Sequence, residues 1–209
     1  IDVRPRSERA AFAPGRYLVK SVWEEASVGI DDDSILWCDD ATQLERAIND
    51  RVDRLGGEAF GETYIAGREF NLSLIAGYNG PQVLPPAEID FVDYPPDKPR
   101  IVGYRAKWDD DSFEYHHTPR RFDFPAEDGG LLSKLTRIAR RCWEVFDLQG
   151  YARVDFHVDE DNRPWVLEIN ANPCLSPEAG FAAAVDRAGM SFADAIDRLL
   201  GDALRRAGR

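Results

Sequence analysis

At 209 residues the chain can bury a substantial core, as one large domain or as two small ones. With 44% hydrophobic and 31% charged residues, and no apolar run near the roughly 18 residues a membrane span needs, a membrane-embedded class is excluded. The formal charge of −12 excludes a nucleic-acid partner held by phosphate neutralisation, which needs a basic face to release counterions.

In chain order, 16–20 (RYLVK) reads as a strand, followed by the loop WEEASVGIDDD and a short apolar run at Ile35 to Trp37. Asp39, Asp40 or Thr42 caps a helix carrying Leu44, Ile48, Val52 and Leu55 at helical spacing, and Gly56-Gly57 ends it. Phe60 to Ile65 and Glu69 to Ile75 read as strands around Ala66-Gly67, and Asn79-Gly80 turns into a further strand near Gln82 to Leu84. Arg100 to Lys107 is strand-like, and Trp108 to Gly130 is a long polar stretch without periodicity. Leu131, Leu135, Ile138, Cys142 and Phe146 mark an amphipathic helix; 151–170 alternates like a hairpin, and 177–207 carries two helical patterns broken at Gly189-Met190-Ser191. The class is therefore α+β or α/β.

Cys38, Cys142 and Cys174 are far apart and lack C-x-x-C spacing, so neither a disulfide framework nor a zinc site is expected. They read as buried hydrophobes, and a reducing, cytoplasmic setting fits. Ile1 at the start, with a strand-like run soon after, leads us to expect a piece of a longer protein.

The chemistry concentrates at YARVDFHVDEDNRPWVLEIN. Val154, Phe156 and Val158 alternate with Arg153, Asp155 and His157, the period of a half-buried strand. A two-residue turn at Asp161-Asn162 sets Asp155 opposite Glu168 and Arg153 opposite Asn170 on one surface. Like charges roughly 5 Å apart repel across a sheet. A divalent cation reverses the sign of that interaction. Mg²⁺ takes one or two carboxylates, other oxygens and substrate phosphates, and Asp155, Glu168 and the amide oxygen of Asn170 supply that set. Arg153 beside them can hold a phosphate oxygen or a developing negative charge. The bland alternative is a solvated face or a charge-protected edge strand.

Arg153-x-Asp155 followed by Glu168-Ile169-Asn170-x-Asn172-Pro173 resembles the metal-binding hairpin of the ATP-grasp superfamily, in the version of its D-alanine:D-alanine ligase branch. Tyr17 to Lys20 followed by Ala26-Ser27-Val28-Gly29 resembles the phosphate-contacting lysine and phosphate loop of that family. Glu62-x-x-Ile65-x-Gly67-x-Glu69-Phe70 resembles the hinge that holds adenine and ribose. Ala106-Lys107-Trp108 resembles the second phosphate-contacting lysine. The resemblance spans about 16–190.

It implies an ATP-grasp fold of two α/β subdomains with mainly antiparallel sheets gripping the nucleotide: a small one over 1–66 and a large one over 67–209, with an N-terminal substrate domain absent. It implies an ATP-dependent carboxylate–amine ligase acting through an acyl phosphate on small-molecule carboxylate and amine substrates, with neither nucleic acid nor membrane as partner. ATP and Mg²⁺ are the expected cofactors, the metal as a pair of ions that Mn²⁺ can replace. Lys20, Ser27, Glu62, Ile65, Glu69 and Lys107 would bind ATP, Arg153 and Lys107 would act in catalysis, and Asp155, Glu168 and Asn170 would hold metal. A homodimer through the absent region is the implied assembly.

Read from the residues alone, Lys20 is also a lysine leaving a strand end, and Glu62 and Glu69 are also exposed carboxylates around a hairpin turn. His116 and His117 read as a solvated loop, His157 as a surface histidine, and Arg120 and Arg121 as weak candidates for a substrate carboxylate. The sequence departs from the family in lacking an extra phosphate-loop glycine, in carrying Thr63 where relatives often have lysine, and over Cys174 to Gly180. ATP use is thus better supported than D-alanine specificity. A nucleotide-binding module without ligation, and a phosphotransferase stopping at a phosphorylated product, remain the competing readings.

Overall fold

The computed structural model describes residues 12–24 and 27–208. The chain runs β1 (Gly15–Ser21), β2 (Ile35–Cys38), α1 (Ala41–Val52), β3 (Ala59–Thr63), β4 (Arg68–Ile75), β5 (Gln82–Val83) and β6 (Ala87–Ile89). It continues through α2 (Tyr104–Trp108), α3 (Phe113–His116), β7 (Arg120–Arg121), α4 (Gly129–Val145), β8 (Tyr151–Val158), β9 (Pro164–Asn170), α5 (Gly180–Arg187) and α6 (Phe192–Ala207). Contacts group these into two compact units, Ile1–Ile65 with Phe91–Pro119, and Ala66–Asp90 with Arg120–Arg209.

The first unit holds a three-stranded antiparallel sheet in the order β2-β1-β3. Asp40 starts α1 by accepting from the backbone N–H of Gln43 at 2.8 Å; a 3-10 turn over Asp53–Leu55 follows its end, and Gly56 closes that turn in the left-handed region at φ 81°. Leu44 and Ile48 of this helix lie over Gly61, where an added Cβ would come within 2.7 Å of Leu44. The strand expected over 100–107 is instead the short helix α2, begun at Gly103. Arg105, Ala106 and Lys107 are good helix formers with no β-branched side chain to oppose the turn. The stretch expected to be structureless contains α3, capped by Ser112, whose Oγ accepts from the Tyr115 N–H at 3.1 Å.

The second unit is built on a six-stranded antiparallel sheet, β7-β6-β4-β8-β9, with β5 also on β4. The class is α+β. The strands around Ala66-Gly67 are not a hairpin: β3 pairs with β1, and β4 with β5, β6 and β8 in the other sheet. On one face of this sheet Phe70, Leu72, Leu74, Val154, Phe156 and Val158 meet Leu131, Leu135, Ala139 and Cys142 of α4. Those helical positions fall on one stripe, and burying each large side chain contributes roughly 1.5–3 kcal/mol. Because side chains alternate along a strand, an apolar set on this face sends its sequence neighbours to the other. A second core, Ile75, Leu84, Phe181, Ala184, Val185 and Ala195, forms with α5 and α6.

Candidate functional site: a polar sheet face

The face opposite α4 is polar. Register sets Glu69 against His157, Asn71 against Asp155 and Ser73 against Arg153, and continues from Asp155 to Glu168 and from Arg153 to Asn170 on β9. The expected opposition of Asp155 and Glu168 is present, by a different route. The β8–β9 connection is a three-residue loop, Glu160 to Asn162, closed by the Asp159 N–H donating to the Arg163 carbonyl at 3.1 Å. Asn162 takes the left-handed conformation at φ 57°. Asp159 rigidifies the loop: Oδ1 accepts from the N–H groups of Asp161 and Arg163 at 3.0 and 2.9 Å, and Oδ2 from the Trp165 indole at 2.9 Å. Phe156 then pairs with Val166 while Asp155 pairs with Glu168, leaving Leu167 as a bulge. That extra residue returns the carboxylates to one face.

The like-charge pair is compensated within the chain. Arg153 donates through Nε to Asp155 Oδ1 at 2.7 Å and through Nη2 to Oδ2 at 2.7 Å, and its Nη2 lies 3.6 Å from Glu168 Oε1. Burial pushes the Arg153 guanidinium down, but Asp155, Glu168 and Glu69 overcome this and hold it above its ordinary value. Asp155 is 5% exposed, whereas the Glu168 side chain is 47% exposed. Asn170 Oδ1 accepts from the Asn172 N–H at 2.9 Å, and Asn172 Oδ1 from the Tyr151 hydroxyl at 2.5 Å, fixing the strand end.

His157, expected at the surface, is buried on this face beside Glu69, whose alternative reading as an exposed carboxylate does not hold; His157 Nε2 lies 3.4 Å from Glu69 Oε2. Asn71 and Ser73 were not singled out from the sequence, although their alternation with Phe70, Leu72 and Leu74 carried the signal. Arg120 and Arg121 are engaged elsewhere, Arg120 donating to the Glu178 carbonyl at 3.3 Å and Arg121 to Glu88 at 2.5 Å. Cys174, expected to be buried, is exposed, while Cys38 and Cys142 are buried. Cys174 lies in the irregular stretch between β9 and α5, just after Pro173.

The first unit carries the other candidates. Lys20 on β1 pairs with Glu62 on β3 across the sheet diagonal. Ser27 adopts φ 66°, and its hydroxyl donates to the Val102 carbonyl at 2.8 Å. Ala26 of the same loop and Glu25 before it lie outside the described residues. The acidic run behind the loop is engaged locally: Asp31 accepts from the Ser34 hydroxyl at 2.9 Å and Asp32 from Lys98 at 2.5 Å. Ile65 ends this unit, half-buried. Lys107 is half-buried on α2 rather than on a strand.

Among the described residues no group of three His, Cys, Asp or Glu side chains is placed to hold a metal ion. The oxygen set of Asp155, Glu168 and Asn170 is one that suits Mg²⁺, which draws its remaining ligands from phosphate and water. Asp155 Oδ2 accepts one hydrogen bond and Asn170 Oδ1 another, so each retains a lone pair for a cation. The donor set fits a metal that arrives with a nucleotide.

The family model described as D-ala D-ala ligase C-terminus matches residues 14–201. The chain belongs to this ligase family. A D-alanine–D-alanine ligase of Synechococcus sp. (strain JA-3-3Ab) is 33% identical over 159 residues, covering 73% of this chain and 43% of that protein. The D-alanine–D-alanine ligase of Bacillus anthracis is 25% identical with TM-score 0.64 over 91% of this chain and 55% of its own. D-alanyl-alanine synthetase A of Vibrio cholerae shares the fold at TM-score 0.67 and 16% identity, over 90% of this chain and 52% of its own. The D-ala D-ala ligase C-terminus is thus an ATP-grasp fold here, and the chain spans about half the length of the curated relatives it matches.

Proposed function

We propose that the protein is an ATP-dependent carboxylate–amine ligase that forms a peptide-type bond through an acyl phosphate. The observation that carries this is Arg153, Asp155, Glu168 and Asn170 on one sheet face in a chain of this family. The relatives named as D-alanine–D-alanine ligases support an amino acid as the substrate class, and a Bacillus anthracis ligase of the same fold was solved with ATP.

In this reading the carboxylate of one substrate attacks the γ-phosphorus of ATP, ADP leaves, and the amine of the second displaces phosphate from the acyl carbon. Asp155, Glu168 and Asn170 would hold Mg²⁺, which when bound neutralises triphosphate charge. Arg153, held cationic by its neighbours, offers two parallel N–H groups to the transferring phosphoryl oxygens. Lys20 and Lys107 contact phosphates, Ser27 the phosphate loop's anion, and Glu62, Ile65 and Glu69 the adenosine. The free cysteines support a reducing cytoplasm, and among the described residues no helix is long and apolar enough to cross a membrane.

Trapping tests the intermediate. Incubating the intact protein with Mg-ATP, D-alanine or another amino acid, and hydroxylamine yields the amino-acid hydroxamate and ADP if an acyl phosphate forms. Nucleotide binding without hydroxamate from any amino acid tried contradicts the proposal.

A further inference from the structure

Asp155 has four lone-pair directions, two on each oxygen, and the described residues use three of them. Oδ1 accepts from Arg153 Nε at 2.7 Å and from Asn71 Nδ2 at 2.9 Å, while among the described residues Oδ2 accepts only from Arg153 Nη2 at 2.7 Å. Asn71 stands directly opposite Asp155 in the β4–β8 register. The carboxylate carries no donor, so the Asn71 group facing it is the NH₂. The carboxylate plane is thus held from the β4 side by a group that is itself on a central strand whose neighbours Phe70 and Leu72 are fully buried.

We infer that Asn71 is a positioning residue for the metal carboxylate: by donating to Oδ1 it fixes the rotation of the Asp155 side chain and so the direction in which Oδ2 is presented to the cation. This rests on the metal reading of the hairpin proposed above. Arg153 cannot serve the same purpose throughout the reaction, because a guanidinium that turns to a phosphate releases both oxygens of Asp155. Among the described residues, Asn71 is then the donor that remains. An amide donor at a fixed cross-strand position restricts carboxylate rotation without adding charge, whereas a lysine there would compete with the cation for the same oxygens. Partners of this kind around metal ligands typically change metal affinity 10–100-fold when removed.

Uptake of Mn²⁺, read by the loss of the free-ion paramagnetic resonance signal in the presence of ADP, tests this in the intact protein without turnover. Asn71→Leu keeps the shape and removes the donor, Asn71→Ala removes both, and Asn71→Thr restores a hydroxyl donor. The donor-less variants lose about tenfold in Mn²⁺ affinity, with ADP binding in the absence of metal unchanged, and Asn71→Thr recovers part of the loss. Wild-type Mn²⁺ affinity in a folded donor-less variant overturns the inference, as does an equal loss in Asn71→Thr. Failure of the wild-type protein itself to take up Mn²⁺ with ADP overturns the metal reading and this inference with it.

Discussion

Arg153 lies against both oxygens of Asp155, two residues along the same strand, with each contact at 2.7 Å. The arrangement gives the site an internal counter-ion before any nucleotide arrives, and it makes Arg153 a group that must exchange partners during the reaction. Replacing it with methionine keeps the packing stem and removes the charge. Turnover is expected to fall about 10²–10³-fold, whereas Mn²⁺ uptake with ADP persists because a competitor for Asp155 is gone. Parallel loss of both would assign Arg153 a purely structural role.

Acid stability reads a second charged group on the other face. Arg68 forks Asp128, Nη1 to Oδ1 at 2.8 Å and Nη2 to Oδ2 at 2.7 Å, and also holds Glu88 through Nε at 2.8 Å. Hydrogen bonds from Arg68 hold the Asp128 carboxyl below its ordinary value of 3.8. A depressed folded value means the unfolded chain takes the proton first. The stabilisation is therefore complete above the ordinary value and is lost as pH falls through the lower folded one. Asp128→Asn should be less stable at neutral pH and lose less stability on acidification below about pH 4, as measured by urea unfolding. An unchanged acid profile contradicts the assignment.

Gly67 enters β4 at φ 148°, and a Cβ there would lie 1.9 Å from the Val158 carbonyl oxygen on the neighbouring strand. That oxygen is backbone and cannot rotate away. Gly67→Ala is expected to cost about 2 kcal/mol or more, lowering Tm by roughly 5 °C. A Tm equal to that of the wild-type protein would show that β4 shifts freely at its start.

Thiol chemistry separates the three cysteines. Hydrogen bonds with Ser176 hold the exposed Cys174 thiol below its ordinary value, and nearby Arg153 acts in the same direction. Burial pushes Cys38 and Cys142 up. The folded protein should take up one equivalent of maleimide at neutral pH, abolished in Cys174→Ser. Equal labelling of all three thiols would contradict the burial of the other two.

Much of this was legible in the chain. The alternation of Val154, Phe156 and Val158 with Arg153 and Asp155 identified both faces of β8, because strand period alone decides which side chains share a surface. The spacing predicts a shorter turn than the real one, and the two agree at Asp155 because the Leu167 bulge offsets the three-residue loop. A bulge has no local signature in Trp165 to Glu168, so its position was not readable. Helix α2 is not legible because five residues are too few for periodicity, and its start is tied down by a distant contact, the Tyr104 N–H donating to the Ile30 carbonyl at 3.0 Å. Asn71, and the pairing of His157 with Glu69, become visible only once β4 is seated beside β8, since cross-strand partners far apart in sequence leave no trace in either strand alone.

The most direct test is ADP release by the intact protein with Mg-ATP and pairs of amino acids, compared with Glu168→Gln. The account predicts ADP formation that requires both a carboxylate and an amine substrate, and a large loss of it in Glu168→Gln. ADP release that needs only one substrate, or that Glu168→Gln leaves unchanged, would contradict it.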